Sequence, residues 1–128
     1  MPDAGTNPAP GFVEKPEHKV DLTPSGRRVL VVLGGETVAD STGALLCEET
    51  GHAPVYYLPM QDIRADVFSP TERSSYCPFK GRASYWTIRA GAETAANAAW
   101  SYDLPYDECA ALAKHVAFYG DKVVVRVV

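Results

Sequence analysis

The chain has 128 residues, of which 46% are hydrophobic and 22% charged, so it is long enough to bury a core of its own. Its formal net charge is −4, and without a run of Lys or Arg it offers no electrostatic footprint for nucleic acid or for an anionic membrane surface. No apolar stretch approaches the roughly 18 residues that a membrane helix needs.

The cysteines predict the redox environment of the protein. Cys47, Cys77 and Cys109 are odd in number and form no C-x-x-C pair. This pattern argues against a disulfide framework and predicts reduced thiols, and hence a cytoplasmic location.

The first 24 residues are rich in Pro, Gly and polar side chains. Such a composition cannot pack a core, which predicts a flexible or surface-draped N-terminal arm over residues 1–24 and a single domain over residues 25–128. The arm contains no apolar stretch of the kind that forms a signal peptide.

Strand patterns begin after the arm. Residues 29–33 are a β-branched run, and Gly34-Gly35 predicts a hairpin turn with a return strand at 36–40, because glycine adopts positive φ at little cost. Residues 93–100 are rich in alanine, which favours a helix, but the flanking turn and aromatic residues favour a strand. Alternation and β-branched or aromatic residues predict the other strands, at 44–48, 55–58, 83–89, 116–119 and 122–128.

Helical patterns are few. The four-residue spacing of Ile63 and Val67 predicts a short helix over 60–68, followed by a turn at 69–71, and a second short helix is predicted over 107–114. Short strands with regular turns indicate a mainly β fold: a small antiparallel barrel, a sandwich or a tent-like sheet with one or two short helices.

Residues 77–80, with the sequence CPFK, are where the sequence indicates chemistry. If Pro78 is second in a β-turn, the ends of the turn come within about 7 Å and the thiol of Cys77 lies beside the ammonium of Lys80. A nearby cation favours the nucleophilic thiolate, and a desolvated lysine can lose its proton and attack a carbonyl, so both are tentative catalytic residues. A cysteine that packs as a small hydrophobe, with a solvated lysine, remains the structural alternative.

Aromatic residues give the second signal. They lie on separate predicted strands, and Tyr and Trp carry polar groups that need partners when buried. Together with nearby polar residues they are candidates to line one apolar pocket that binds a ligand, although an ordinary aromatic core is the alternative. The candidate ligand-binding residues are Tyr57, Asp62, Lys80, Trp86, Trp100, Tyr102 and Tyr119.

The sequence predicts no metal site and no cofactor. Asp62 and Asp66 are four residues apart and can share a helix face, but a solvated face with Arg64 nearby is the favoured explanation of that spacing. His18, His52 and His115 lack the close spacing of zinc ligands.

Several segments together resemble one known family. The central pieces are CPFKG at 77–81 and ASYW at 83–86, and they are accompanied by the hairpin at 27–40, EET at 48–50, VYYLP at 55–59, AAWSY at 98–102 and HVAFY at 115–119. This combination resembles the domain-of-unknown-function 427 family over about residues 16–127. The resemblance implies a mainly β architecture, and a label that the family sometimes carries implies nucleotidyl transfer. The paired carboxylates and glycine-rich phosphate cradle that such transfer requires are not evident in this chain.

We expect a small-molecule-binding domain whose aromatic-walled pocket contains Lys80 and Cys77, with Lys80 paired to an anionic or carbonyl group of an unknown ligand. One alternative is an enzyme that uses Cys77 or Lys80 as nucleophile, or Tyr57 as acid with Asp62 orienting it. The other is a structural or interaction module without catalysis. Neither nucleic acid nor a membrane is expected as a partner, and a homo-oligomer stays open.

Overall fold

A computed structural model describes residues 7–128, which are mainly β. One helical turn, α1 (Gly11–Glu14), precedes the strands, and short 3₁₀ helices lie at Met60–Asp62, Ala65–Val67 and Asp107–Leu112. The strands are β1 (Val20–Pro24), β2 (Val29–Leu33), β3 (Glu36–Ser41), β4 (Leu45–Glu49), β5 (Val55–Pro59), β6 (Phe68–Cys77), β7 (Gly81–Ala90), β8 (Glu93–Tyr102), β9 (His115–Phe118) and β10 (Val124–Val127).

These strands form two antiparallel sheets. The large sheet has the order β1-β4-β5-β9-β8-β7-β6, and the small one has the order β10-β2-β3. The strands described here close no barrel, so the arrangement is sandwich-like, which confirms the predicted mainly β fold and selects the sandwich among its three forms.

Each face of the large sheet packs against a different group of residues. Along β9, Val116 and Phe118 belong to the main core with Val29 and Val31 of the small sheet, whereas Ala117 belongs to a second cluster with Tyr57. This alternation follows from the two-residue period of a strand, which points successive side chains to opposite faces. The second cluster therefore lies on the face of the large sheet that the small sheet leaves uncovered.

The predicted strands and turns are largely confirmed. The hairpin between β2 and β3 turns at Gly34 and Gly35, whose φ values are +60° and +77°, as a two-residue turn of this hand requires. The alanine-rich residues 93–100 are strand β8, because packing between β7 and β9 outweighs their helix propensity.

Two local predictions are wrong. The helix predicted over residues 60–68 is replaced by two 3₁₀ turns, between which Ile63 forms a bridge with Ala39 of β3. The turn predicted at residues 69–71 lies inside β6, where Pro70 is opposite Trp86 just before a register shift. Proline fits there because β6 is an edge strand, in which one side of the backbone needs no donor.

The segment predicted as an arm contains regular structure where it is described. β1 pairs with β4 at the edge of the large sheet, and its Val20 and Leu22 pack against the second cluster while Asp21 and Thr23 are exposed. This apolar–polar alternation is a strand signal that the segment's overall composition concealed. Residues 1–6 of the predicted arm lie outside the described residues, and its boundary at residue 24 stays a prediction.

Candidate functional site

The uncovered face of the large sheet carries a cleft of about 490 Å³ that is open to solvent. Its walls come from strands of that sheet, from the turn between β6 and β7, and from residues that precede β1. The residues that line the cleft are Lys15, His18, Cys47, Glu49, His52, Ala53, Val55, Tyr57, Tyr76, Cys77, Pro78, Phe79, Lys80, Tyr85, Trp100, Tyr102 and Tyr119.

A buried ion pair between Lys80 and Glu49 lies in the cleft. Lys80 precedes Gly81, whose φ of +119° lets the chain turn back into β7. The Nζ of Lys80 donates a hydrogen bond to Oε1 of Glu49, which lies at the end of β4. Their side chains are only 8% and 9% exposed. Burial opposes both charges, but the hydrogen bonds and the attraction between opposite charges together outweigh it, so the pKa of Glu49 lies below its ordinary value and the pKa of Lys80 above its own. Both groups are therefore charged at neutral pH.

The second carboxylate oxygen of Glu49 faces the N-terminal segment (residues 7–19). Nε2 of His18 lies 2.8 Å from Oε2 of Glu49, and the His18 ring stacks on Phe79 with centroids 3.9 Å apart. Phe12 packs edge-on against the same phenyl ring. The N-terminal segment thus completes the cleft by covering the turn at residues 77–80.

The cleft also has an aromatic wall, formed by Tyr57, Trp100, Tyr119 and Tyr85. Trp100 lies at 4.4 Å from Tyr119 and at 6.2 Å from Tyr57, centroid to centroid, and its Nε1 donates to the Tyr57 hydroxyl. Tyr85 and Tyr119 are parallel within 7°. The wall is continuous because its residues come from β5, β8 and β7 and from the position that follows β9, on one face of the sheet.

The thiols near the cleft differ in access to solvent. Cys47 and Cys77 line the cleft, while Cys109 is fully buried in the same cluster. Burial raises the pKa of the Cys47 thiol, and it raises the pKa of Cys109 to about 11, so both stay protonated at neutral pH. Among residues 7–128, no three His, Cys, Asp or Glu side chains are grouped so that they could hold a metal ion.

Most of the residues singled out in the sequence come together here. The cleft unites six of them, Tyr57, Cys77, Lys80, Trp100, Tyr102 and Tyr119.

Asp62 and Trp86 lie elsewhere. Asp62 accepts a hydrogen bond of 2.6 Å from Ser41. Trp86 packs against the main core on the opposite face and donates to Ser101. Because strand neighbours face opposite ways, only one of Tyr85 and Trp86 can reach the cleft, and it is Tyr85.

Four residues that shape the cleft were not predicted as site residues from the sequence: His18, Glu49, Phe79 and Tyr85. For Glu49 a signal existed, because a buried lysine requires a carboxylate partner and EET at residues 48–50 ends a predicted strand. For His18 the sequence offered no such signal. Its contact is with Glu49, and only the pairing of β1 with β4 brings these two residues together.

Comparisons with known proteins identify the family of the chain. No helix within residues 7–128 has the length and apolar character needed to cross a bilayer, and the comparison with curated proteins gives no match. The family model described as a domain of unknown function, DUF427, matches residues 21–128. This range spans all ten strands apart from the first residue of β1, and the chain therefore belongs to the DUF427 family.

Proposed function

We propose that the protein binds a small planar molecule in the cleft. The observation that carries this proposal is a buried, charged Lys80 beside a continuous aromatic wall in a cleft of about 490 Å³. Binding sites for small molecules are typically concave and about 300–1,000 Å³ in volume, with mostly apolar walls and a few fixed polar groups.

The wall and the ion pair have separate roles in this proposal. The rings of Trp100 and Tyr119 offer stacking surface to a flat ligand. The ammonium of Lys80 has three N–H groups, and among the described residues Glu49 is its only hydrogen-bond acceptor. Its remaining N–H groups are directed by that pair and can donate to a carbonyl or anionic oxygen of the ligand.

Binding has more support than amine catalysis by Lys80. A lysine that attacks a carbonyl must lose its proton, and its pKa is lowered for that purpose in Schiff-base enzymes. Glu49 instead raises the pKa of Lys80, which favours the ammonium form. Cys77 lines the cleft and remains the alternative nucleophile, which alkylation tests. A cytoplasmic location belongs to the proposal, in keeping with three cysteines that form no disulfide.

The two tryptophans allow a direct test, because Trp100 is in the aromatic wall and Trp86 is on the opposite face. Protein labelled with 5-fluorotryptophan gives two ¹⁹F signals, assigned with Trp86→Phe and Trp100→Phe. We expect members of a set of planar aromatic fragments, with anionic, neutral and cationic forms, to shift the Trp100 signal saturably and leave the Trp86 signal in place.

Lys80→Met should weaken this binding at least tenfold, because it removes a charged donor. The control is Lys19→Met, since Lys19 is exposed and outside the cleft. The proposal fails if no fragment shifts the Trp100 signal, or if Lys80→Met and Lys19→Met bind equally well.

A further inference from the structure

The hydroxyl of Tyr85 is held in an unusual environment at the end of the aromatic wall. The residue is only 5% exposed, and its oxygen lies 2.8 Å from Oγ of Ser75 on β6 and 3.5 Å from the hydroxyl of Tyr119. The guanidinium of Arg73, also on β6, lies 4.8 Å from the centre of the ring. Two side chains of β6 and the residue that follows β9 therefore converge on one phenol that also lines the cleft.

This arrangement makes Tyr85 a strengthened hydrogen-bond donor. A phenol oxygen can accept bonds and has one proton to give, and the serine hydroxyl rotates freely, so both neighbours can donate to Tyr85 at once. The proton of Tyr85 is then left for a group in the cleft. A hydroxyl that accepts hydrogen bonds is polarised by them and becomes a stronger donor. The guanidinium of Arg73 stabilises the negative charge that the oxygen of Tyr85 gains when it donates.

The charges around the cleft agree with this assignment. Burial alone would raise the pKa of Tyr85, yet the bonds from Ser75 and Tyr119 and the charge of Arg73 hold it below its ordinary value. Tyr119 donates its hydrogen bond to Tyr85, and its own pKa is raised to about 12, mainly by burial and next by this hydrogen bond. The other titratable groups near this pair are Tyr102 of β8, Asp121, which follows β9, and Lys122, whose Nζ lies 5.9 Å from the centre of the Tyr119 ring.

We propose that Tyr85 recognises an oxyanion, so that the ligand class of the cleft is a planar carboxylate, enolate or phenolate. This inference rests on the proposed function. It adds that the ligand is negatively charged and that Tyr85 is the residue that recognises this charge. The negative charge of Glu49 is already offset by Lys80, whose remaining N–H groups can still donate to the ligand, and Lys15 in the cleft lining and Arg73 over the ring of Tyr85 are further cations that favour an anion.

The first test needs no ligand. In protein labelled with [ζ-¹³C]tyrosine, the Tyr85 signal is assigned by its loss in Tyr85→Phe and followed against pH. We expect it to ionise below the pH of about 10 that is usual for tyrosine, and to ionise at higher pH in Ser75→Ala, which lacks one donor. Ionisation at or above the usual pH in wild type overturns the inference.

The second test compares 2-naphthoate with neutral 2-naphthamide and cationic 2-naphthylmethylamine, by titration calorimetry. We expect the carboxylate to bind at least tenfold tighter than the amide, and Tyr85→Phe to reduce this preference about tenfold while barely changing amide binding. The matched control is Tyr56→Phe, because Tyr56 packs against the main core on the other face.

Equal binding of the three probes, or an unchanged preference in Tyr85→Phe, overturns this inference and leaves the proposed function standing. If none of the probes binds and no fragment shifts the Trp100 signal, the inference and the proposed function both fail.

Discussion

The buried pair of Lys80 and Glu49 makes the sharpest prediction about the energetics of this fold. Glu49→Gln keeps the shape of the side chain but removes the negative charge next to the ammonium of Lys80. Breaking a buried pair on one side typically costs 3–5 kcal/mol, because the remaining charge stays desolvated. The pair lies in an open cleft, so we expect about 3 kcal/mol, the lower end of this range.

Lys80→Met and the double variant complete a double-mutant cycle with Glu49→Gln. Their expected costs in unfolding free energy follow from the same geometry. Lys80→Met leaves Glu49 beside His18, at 2.8 Å, and near His52, at 3.9 Å, so the carboxylate keeps a partner and the cost should be smaller, about 2 kcal/mol. The double variant contains neither charge, so its cost should be well below the sum of the two single costs. A coupling of at least about 1.5 kcal/mol is expected for groups in direct contact.

Urea unfolding at neutral pH, followed by circular dichroism, measures these differences. Two results would refute the reasoning: a Glu49→Gln variant that is as stable as wild type, or a double variant whose loss of stability equals the sum of the two single losses. Either result means that the two charges do not stabilise each other in the folded protein.

The same pair predicts how stability depends on pH. The folded pKa of Glu49 is lowered, so its contribution is present above its unfolded pKa of about 4.3 and is lost as pH falls through the folded value. The folded pKa of Lys80 is raised, so its contribution is present below about pH 10.4 and is lost as pH rises through the folded value. Wild type should therefore lose its advantage over Glu49→Gln below about pH 4, as denaturation midpoints at a series of pH values would reveal.

Two further predictions concern the backbone and the thiols. A Cβ at Gly34 would lie 2.2 Å from the carbonyl oxygen of Ala90, so Gly34→Ala should cost about 2–4 kcal/mol of unfolding free energy; Gly35→Ala, where a Cβ meets nothing within 4 Å, should cost only about 1 kcal/mol. Iodoacetamide at neutral pH should modify Cys77 well before Cys109, which is fully buried with a pKa of about 11; peptide mapping that shows equal rates would contradict this.

The fold was accessible from the sequence because most strands carry their own signal. Val29–Leu33 contains only valine and leucine, with the β-branched valines favouring a strand, and the two glycines after it allow one tight hairpin. Where the prediction failed, the deciding interactions were distant in sequence. Ser69 and Pro70 resemble turn residues, yet they lie opposite Thr87 and Trp86 of β7, and nothing within residues 69–71 records that β7 lies beside them.

The candidate site was accessible only in part, for a related reason. Cys77 and Lys80 share one turn, so local geometry predicted that they lie close together. The partner of Lys80 is Glu49, which is 31 residues away in sequence and reaches it only through the order of strands in the large sheet. Trp86 was assigned to the pocket because its aromatic type fits, but a strand places it on the face opposite Tyr85.

The position of His18 has a consequence for how this chain relates to its family. The family match begins at Asp21, yet Phe12 and His18, which lie before it, pack against Phe79, and His18 also contacts Glu49. The ion pair and the aromatic wall thus belong to the matched domain, whereas the side of the cleft over residues 77–80 is supplied by the preceding segment. Under the proposed function, a ligand that touches that side contacts residues that the matched domain does not include. Chains that share residues 21–128 in outline but differ before them would therefore differ in ligand preference while keeping the same fold.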